Sequence, residues 1–227
     1  MNPLVRVVRR IVHRVWHRRV RAALERPDAC TLFGLDLVIA PGVLHPRHFR
    51  SSRALAGHVI TLELQGRRVA DLGTGSGILA LLAARAGASV TAVDINPSAV
   101  ECAAANAHRN GLSEHVSVLA SDLFDAVPPG LRFDLVITNP PFYPRPATRV
   151  GDRTFAAGAE NAFFRKLAAS LPDCLARDGR LILIQSSDVD FTPIVAMFEG
   201  SGMRGRVVRE DRGLFETLTI REFRAAG

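Results

Sequence analysis

The run Val69-Ala70-Asp71-Leu72-Gly73-Thr74-Gly75-Ser76-Gly77 joins an apolar stretch to a helical pattern, so its glycines fall where the chain must turn tightly and let backbone approach a ligand. Gly77 follows Gly75 by two residues, where a dinucleotide-binding loop has three. Asp71 stands just before the loop. A carboxylate there repels a pyrophosphate and suits a ligand that carries an ammonium group and no phosphate. S-adenosylmethionine is such a ligand. Asp94 closes the next apolar run, 23 residues after Asp71, where an acid accepts hydrogen bonds from ribose hydroxyls. Asp122, in Ser121-Asp122-Leu123 after the third run, is set to meet an adenine edge. A single aspartate in such a position is as often a helix cap or turn residue; three in order after a glycine loop read as one cofactor-binding constellation. Gly73, Thr74, Gly75 and Gly77 belong to it with Asp71, Asp94, Ile95, Asp122 and Leu123.

A second group follows the fourth apolar run. In Phe133-Asp134-Leu135-Val136-Ile137-Thr138-Asn139-Pro140-Pro141-Phe142 two prolines end a strand and stiffen the turn after it. No His/Asp or Ser/His pairing accompanies this turn, so nothing near it points to nucleophilic catalysis.

With both groups in view, the chain resembles class I S-adenosylmethionine-dependent methyltransferases of the small-domain, HemK-like group, the release-factor glutamine methyltransferases among them. The resemblance covers about residues 36–224 and rests on the glycine loop together with the Asn-Pro-Pro-Phe turn. It implies that Asn139, Pro140, Pro141 and Phe142 form the catalytic turn, with Asn139 also among the cofactor-binding residues. In the family such a turn binds the nitrogen to be methylated: the Asn139 oxygen and the Pro140 carbonyl accept its two N–H bonds, and Phe142 stacks on the planar group. A glutamine amide or an exocyclic base amine needs this help, because its lone pair is delocalised. No general base is needed before attack, since the proton becomes acidic only after methylation.

The implied acceptor is a protein glutamine, in a release factor or ribosomal protein. The alternatives are the N6 of adenine or N2 of guanine in RNA, and a small biosynthetic metabolite; a non-catalytic module is disfavoured because loop and turn are both intact. Two features depart from the family. About 50 residues precede the core helix at 52–64, fewer than the helical domain of bacterial release-factor enzymes, and His45-Pro46-Arg47-His48-Phe49-Arg50-Ser51-Ser52 stands where related short forms are acidic. Phe142 is the residue common in RNA-acting members, whereas Gly213 with Glu216-Thr217-Leu218 resembles the glutamine-methylating short forms.

The elements that must position these residues are legible as alternation. Short apolar runs at 67–71, 89–94, 115–120, 133–138 and 180–185 alternate with helical patterns at 77–86, 97–109, 160–176 and 190–202, which predicts an α/β fold with a doubly wound, mostly parallel sheet. Arg206–Glu210 and Leu214–Phe223 read as two strands joined directly by a turn at Asp211–Gly213, hence antiparallel at an edge. The resemblance implies a seven-stranded Rossmann-like sheet of order 3-2-1-4-5-7-6, with strand 7 antiparallel. The segment Tyr143–Gly158, with Pro144, Arg145, Pro146, Arg149 and Arg153, reads as a substrate-side loop.

The chain has 227 residues, 48% hydrophobic and 22% charged, which excludes disordered, collagenous and disulfide-scaffold classes. Its formal charge of +7 lies entirely in residues 1–26, which hold eight Arg and one acid; the remainder is neutral. There Leu4, Val8, Ile11 and Val15 recur at helical spacing against Arg6, Arg9, Arg10, Arg14 and Arg18, predicting a basic amphipathic helix. Such an arm packs on its own domain, docks on RNA or a ribosomal surface, or lies on an anionic membrane. The expected division is an arm at 1–26, a lead-in strand and helix at 27–66, and the S-adenosylmethionine-dependent domain at 67–227. Cys30, Cys102 and Cys174 are too scattered for a disulfide framework or a zinc site, and His45/His48 read as structural, so no metal is expected. No leader or membrane-length apolar run is recognised, and a cytoplasmic location is expected.

Overall fold

The computed structural model describes residues 26–142, 157–214 and 216–226; the arm before Arg26 and most of the expected loop, 143–156, lie outside the described residues. The lead-in departs from the expected strand and helix. It is an antiparallel hairpin, β1 (Asp28–Leu32) and β2 (Leu35–Ile39), followed by α1 (Arg50–Val59). The turn between the strands is two residues, Phe33 and Gly34, both at positive φ (51° and 71°), the geometry that matches strand twist in a tight hairpin. Phenylalanine seldom takes that conformation, so the sequence carried no turn signal there.

The main sheet has seven strands: β3 (Arg68–Leu72), β4 (Ser89–Asp94), β5 (Val116–Ala120), β6 (Phe133–Thr138), β7 (Leu175–Ser186), β8 (Met203–Arg212) and β9 (Thr217–Ala225). Their order is β5-β4-β3-β6-β7-β9-β8. Counted from the first sheet strand this is 3-2-1-4-5-7-6, and only the seventh, β9, runs antiparallel to its neighbours. The tail turn lies later than expected, because Asp211 and Arg212 still pair with Leu218 and Thr217 in the β8–β9 ladder. The reversal is closed by the Gly213 N–H donating to the Glu216 carbonyl at 2.8 Å.

Successive residues of a strand point to opposite faces, and the sequence exploits this to build two cores. Val69, Leu135, Ile137, Ile182 and Ile184 pack with the hairpin, α1, α2 (Ile78–Arg85) and α3 (Pro97–Arg109). Ala70, Leu72, Val136, Leu181 and Leu183 pack with α4 (Ala162–Cys174) and α5 (Thr192–Gly200). Asn96 caps α3, its side chain accepting from the Ser98 N–H, and Pro97 needs no donor partner at the first turn. No described helix is long and apolar enough to cross a membrane.

Asn106, fully buried on α3, ties the hairpin to the sheet. Its Oδ1 accepts from the Val38 N–H at 2.8 Å, and its Nδ2 donates to the Val38 carbonyl at 2.8 Å and the Ser76 carbonyl at 2.9 Å. Its amide thus serves β2 as a neighbouring strand would. Asn106→Ala leaves the Val38 N–H and the Ser76 carbonyl without this partner, while the Val38 carbonyl keeps the Cys102 thiol, and should cost about 2–3 kcal/mol. Urea unfolding checks this; a loss below about 1 kcal/mol would show that the hairpin docks independently of this side chain.

Candidate cofactor and acceptor site

The glycine loop leaves β3 and enters α2 through Gly73, Gly75 and Gly77, with φ of 72°, 56° and 84°. At Gly77 a Cβ would also meet Ala103 of α3 at 3.2 Å. α2 is apolar from Ile78 to Ala84 and has no side-chain cap of its own. Asp71 supplies the cap from the strand: its Oδ2 accepts from the Ala80 N–H at 3.1 Å, in the first turn of α2, and from Thr74 Oγ1 at 2.6 Å. Asp94 completes the tie from β4. Its Oδ2 accepts from the Gly75 N–H and its Oδ1 from the Asn96 N–H, each at 2.9 Å. Gly73 and Thr74 both donate to the Val93 carbonyl at 2.9 Å.

These bonds open a cleft of about 560 Å³ along the carboxyl ends of β3, β4, β5 and β6, the ordinary location of ligand sites in such sheets. Of the residues singled out from the sequence, Gly73, Thr74, Gly75, Asp94, Ile95, Asp122, Leu123, Asn139 and Pro141 line it. Asp71, Gly77, Pro140 and Phe142 do not. Asp71, counted from the sequence among the cofactor-binding residues, has no exposed surface and stands behind the loop, bracing the backbone that faces the cleft. Gly77 is consumed by the close approach of α3. Pro140 is buried, and the half-buried Phe142 packs against the core that holds α1, α2 and α3.

Burial raises the Asp71 carboxyl to about 7, with the Asp94 charge adding to the effect and the Thr74 and Ala80 bonds opposing it. Its Oδ1 is buried without a hydrogen-bond partner. Burial also pushes Asp94 up, against the N–H groups of Asn96, Gly75 and Ile95. Asp122 is more open, and its Oδ2 lies 2.8 Å from Lys166 Nζ.

Asn139 is held on two sides. Thr138 Oγ1 donates to the Leu72 carbonyl at 2.9 Å, locking the end of β6 to the end of β3. The Asn139 Nδ2 donates to Ser52 Oγ of α1 at 3.1 Å, which commits the donor end of the amide to α1 and leaves the oxygen as the acceptor end. His45 is buried, accepts from the Arg47 N–H at Nδ1 (3.2 Å) and has Nε2 3.3 Å from Asp28 Oδ2. That pattern is a neutral imidazole donating to a carboxylate. Ligand atoms of Asp28, His45 and His48 lie within 4.8 Å of one another, but metal binding at Nε2 requires a proton at Nδ1, against the Arg47 N–H.

Residues 35–202 match the methyltransferase small domain family. The chain belongs to that family. Among its relatives, a release factor glutamine methyltransferase from Rhodospirillum rubrum is 33% identical over 204 residues, covering 85% of this chain and 62% of the relative. A tRNA1(Val) (adenine(37)-N6)-methyltransferase from Porphyromonas gingivalis is 36% identical over 126 residues, covering 52% of this chain and 49% of the relative. The chain therefore spans about half to three-fifths of the length of these two proteins. A T. thermophilus 16S rRNA N2 G1207 methyltransferase, solved with AdoMet and guanosine, shares the fold at a TM-score of 0.67 and 22% identity, over 88% of this chain and 50% of that one.

Two walls of the cleft in this methyltransferase small domain were read from the sequence only at one corner, Ala157 and Gly158 at the end of the expected substrate-side loop. Gly42, Val43, Leu44 and Pro46 come from the lead-in, and Ala157, Gly158, Ala159, Ala162, Phe163 and Lys166 from the start of α4 and the turn before it. The first lies in a segment with no periodicity. The second carried one usable signal, the isolated lysine.

The elevated Asp71 carboxyl makes a pH prediction. Between its ordinary value of 3.8 and about 7 the folded chain keeps a proton that the unfolded chain has lost. The associated stability is complete below the lower value and is lost as pH rises through the upper one. Asp71→Asn removes this dependence. From about pH 5 to about pH 8 the melting temperature of the parent chain should fall more than that of Asp71→Asn, at about 2–4 °C per kcal/mol for a chain of this size. Parallel curves would mean that Asp71 is ionised throughout.

Proposed function

We propose that this chain is an S-adenosylmethionine-dependent N-methyltransferase whose acceptor is a planar nitrogen, a glutamine side chain of a release factor or ribosomal protein, and that it acts in the cytoplasm. The observation that carries the reading is Asn139, fixed by Ser52 with its amide oxygen as acceptor, on the same cleft as Asp94 and Asp122. The lining suits the cofactor by its chemistry. Carboxylates at Asp94 and Asp122 are acceptors for ribose hydroxyls and an adenine amine and would repel phosphates, and the cleft volume is of the size that holds such a ligand.

When bound, S-adenosylmethionine supplies an electrophilic methyl group on a sulfonium. The residues of the chain do the rest. Asn139 Oδ1 accepts an N–H bond of the incoming amide and aims its nitrogen, and the rigid Pro140-Pro141 turn keeps that acceptor from relaxing. Thr138 fixes its distance from the loop through Leu72. The proton that the nitrogen sheds after methylation needs no dedicated base.

A second acceptor class, an exocyclic amine of RNA, is favoured by the +7 charge of residues 1–26 and by the likeness to the tRNA adenine-N6 enzyme. Incubation with S-adenosylmethionine labelled in its methyl group and a ribosome and translation-factor fraction separates the two. Label removed by protease and resistant to nuclease supports the glutamine reading; the converse supports RNA. Asn139→Ala should lower kcat about 10²–10³-fold with little change in cofactor affinity. Asp94→Ala should weaken S-adenosylhomocysteine binding about 10–100-fold in titration calorimetry, and unchanged affinity would remove the assigned cofactor site.

A further inference from the structure

Lys166 is the one lysine in a chain that has 28 arginines, and it stands on the cleft. It shares a helical face with Ala162 and Phe163, the other α4 residues that line the cleft. Its Nζ lies 2.8 Å from Asp122 Oδ2 and 2.6 Å from Asp125 Oδ2, and it donates to the Asp122 backbone carbonyl at 3.1 Å. Three acceptors around one nitrogen match the three donors of an ammonium; the planar fork of a guanidinium cannot converge on them. This is a geometric reason for a lysine where the rest of the chain uses arginine.

The turn so gripped is also unusual. Leu123, next to Asp122, is buried at φ 56°, a conformation that a leucine rarely adopts. Ser121 Oγ donates to the Leu123 carbonyl at 2.8 Å and accepts from the Ala126 N–H at 2.9 Å. The bonds of Lys166 are the part of this arrangement that reaches across from another element. Side-chain exposures of 37% for Lys166, 52% for Asp122 and 63% for Asp125 are those of surface ion pairs, which add little to stability. What the contact supplies is orientation.

We propose that Lys166 is a positioning residue for base selection, occupying Oδ2 and the carbonyl of Asp122 so that Oδ1 is presented to the cleft as the acceptor for an exocyclic purine amine. The inference rests on the cofactor reading above and deepens it. A 6-aminopurine donates to that oxygen, whereas a 6-oxopurine sets an acceptor against it and is rejected. Without Lys166 the carboxylate turns to solvent and the distinction fades.

Titration calorimetry on the full chain with S-adenosylhomocysteine and S-inosylhomocysteine tests this. The parent chain should prefer the adenosyl ligand by about 10–100-fold, the worth of one hydrogen-bonded pair set against a repulsive one. Lys166→Met should bring the ratio within about threefold, with a melting temperature near that of the parent. Lys166→Arg, which keeps the charge, should not restore it. Asp125→Asn, which lies off the cleft lining and leaves the Asp125 N–H bond to the Asp122 carbonyl in place, should lower the ratio partially and serves if Lys166→Met does not fold. An unchanged ratio in Lys166→Met, equal weakening of both ligands, or full restoration by Lys166→Arg would overturn the proposal. Failure of the parent chain to bind either ligand would instead overturn the cofactor reading.

Discussion

A buried strand must turn through three left-handed glycines and begin an apolar helix, and the residue at the cap position, Gly77, has no side chain to cap it. The fold depends on how the exposed N–H groups are satisfied. Asp71 reaches forward from β3 to the first turn of α2, Asp94 reaches across from β4 to Gly75, and the Val93 carbonyl takes the N–H groups of Gly73 and Thr74. Backbone partners supplied by strand ends leave the loop surface unobstructed by its own side chains. One of the two carboxylates is sealed inside and the other faces the cleft, so a single requirement of chain turning also creates the acidic lining.

How far the sequence disclosed this depends on local punctuation. The strand at 133–138 and the helix at 97–109 are read to the residue because Asn139-Pro140 and Asn96-Pro97 mark where one ends and the other starts. β7 begins at Leu175, five residues before the expected 180, because Ala176-Arg177-Asp178-Gly179 has the composition of a turn while its register shift against Phe133–Leu135 is a tertiary matter. The Phe33-Gly34 hairpin carried no conventional turn pair. In the site, residues borne on loops after strands were found, since their order along the chain mirrors their order in space. Ser52 and Lys166 were not: each reaches the cleft from a helix side, and only packing brings that side round.

Asn139 shows how widely the site is braced. Its amide is held by Ser52 of α1, and α1 is itself clasped to the tail, where Arg50 contacts Asp211 Oδ1 at 3.0 Å and the Glu216 carbonyl at 3.3 Å. Glu216 in turn bonds Ser186 at the end of β7. The Asn-Pro-Pro-Phe turn, the lead-in helix and the β8–β9 reversal thus form one connected rim, so the residues of the tail that resemble glutamine-methylating forms bear mechanically on that turn without lining the cleft themselves.

The antiparallel insertion of β9 has a consequence in time. Among the described residues β8 has β9 as its one partner in the sheet, and β9 is synthesised after it. Until β9 emerges, β8 has no ladder to join and Ser186 lacks Glu216, while the parallel strands and the glycine loop are already complete. A chain in synthesis can therefore pair its parallel strands and form the glycine loop first, and gain the β8–β9 ladder with its Arg50 and Ser186 contacts in a later, separate closing step.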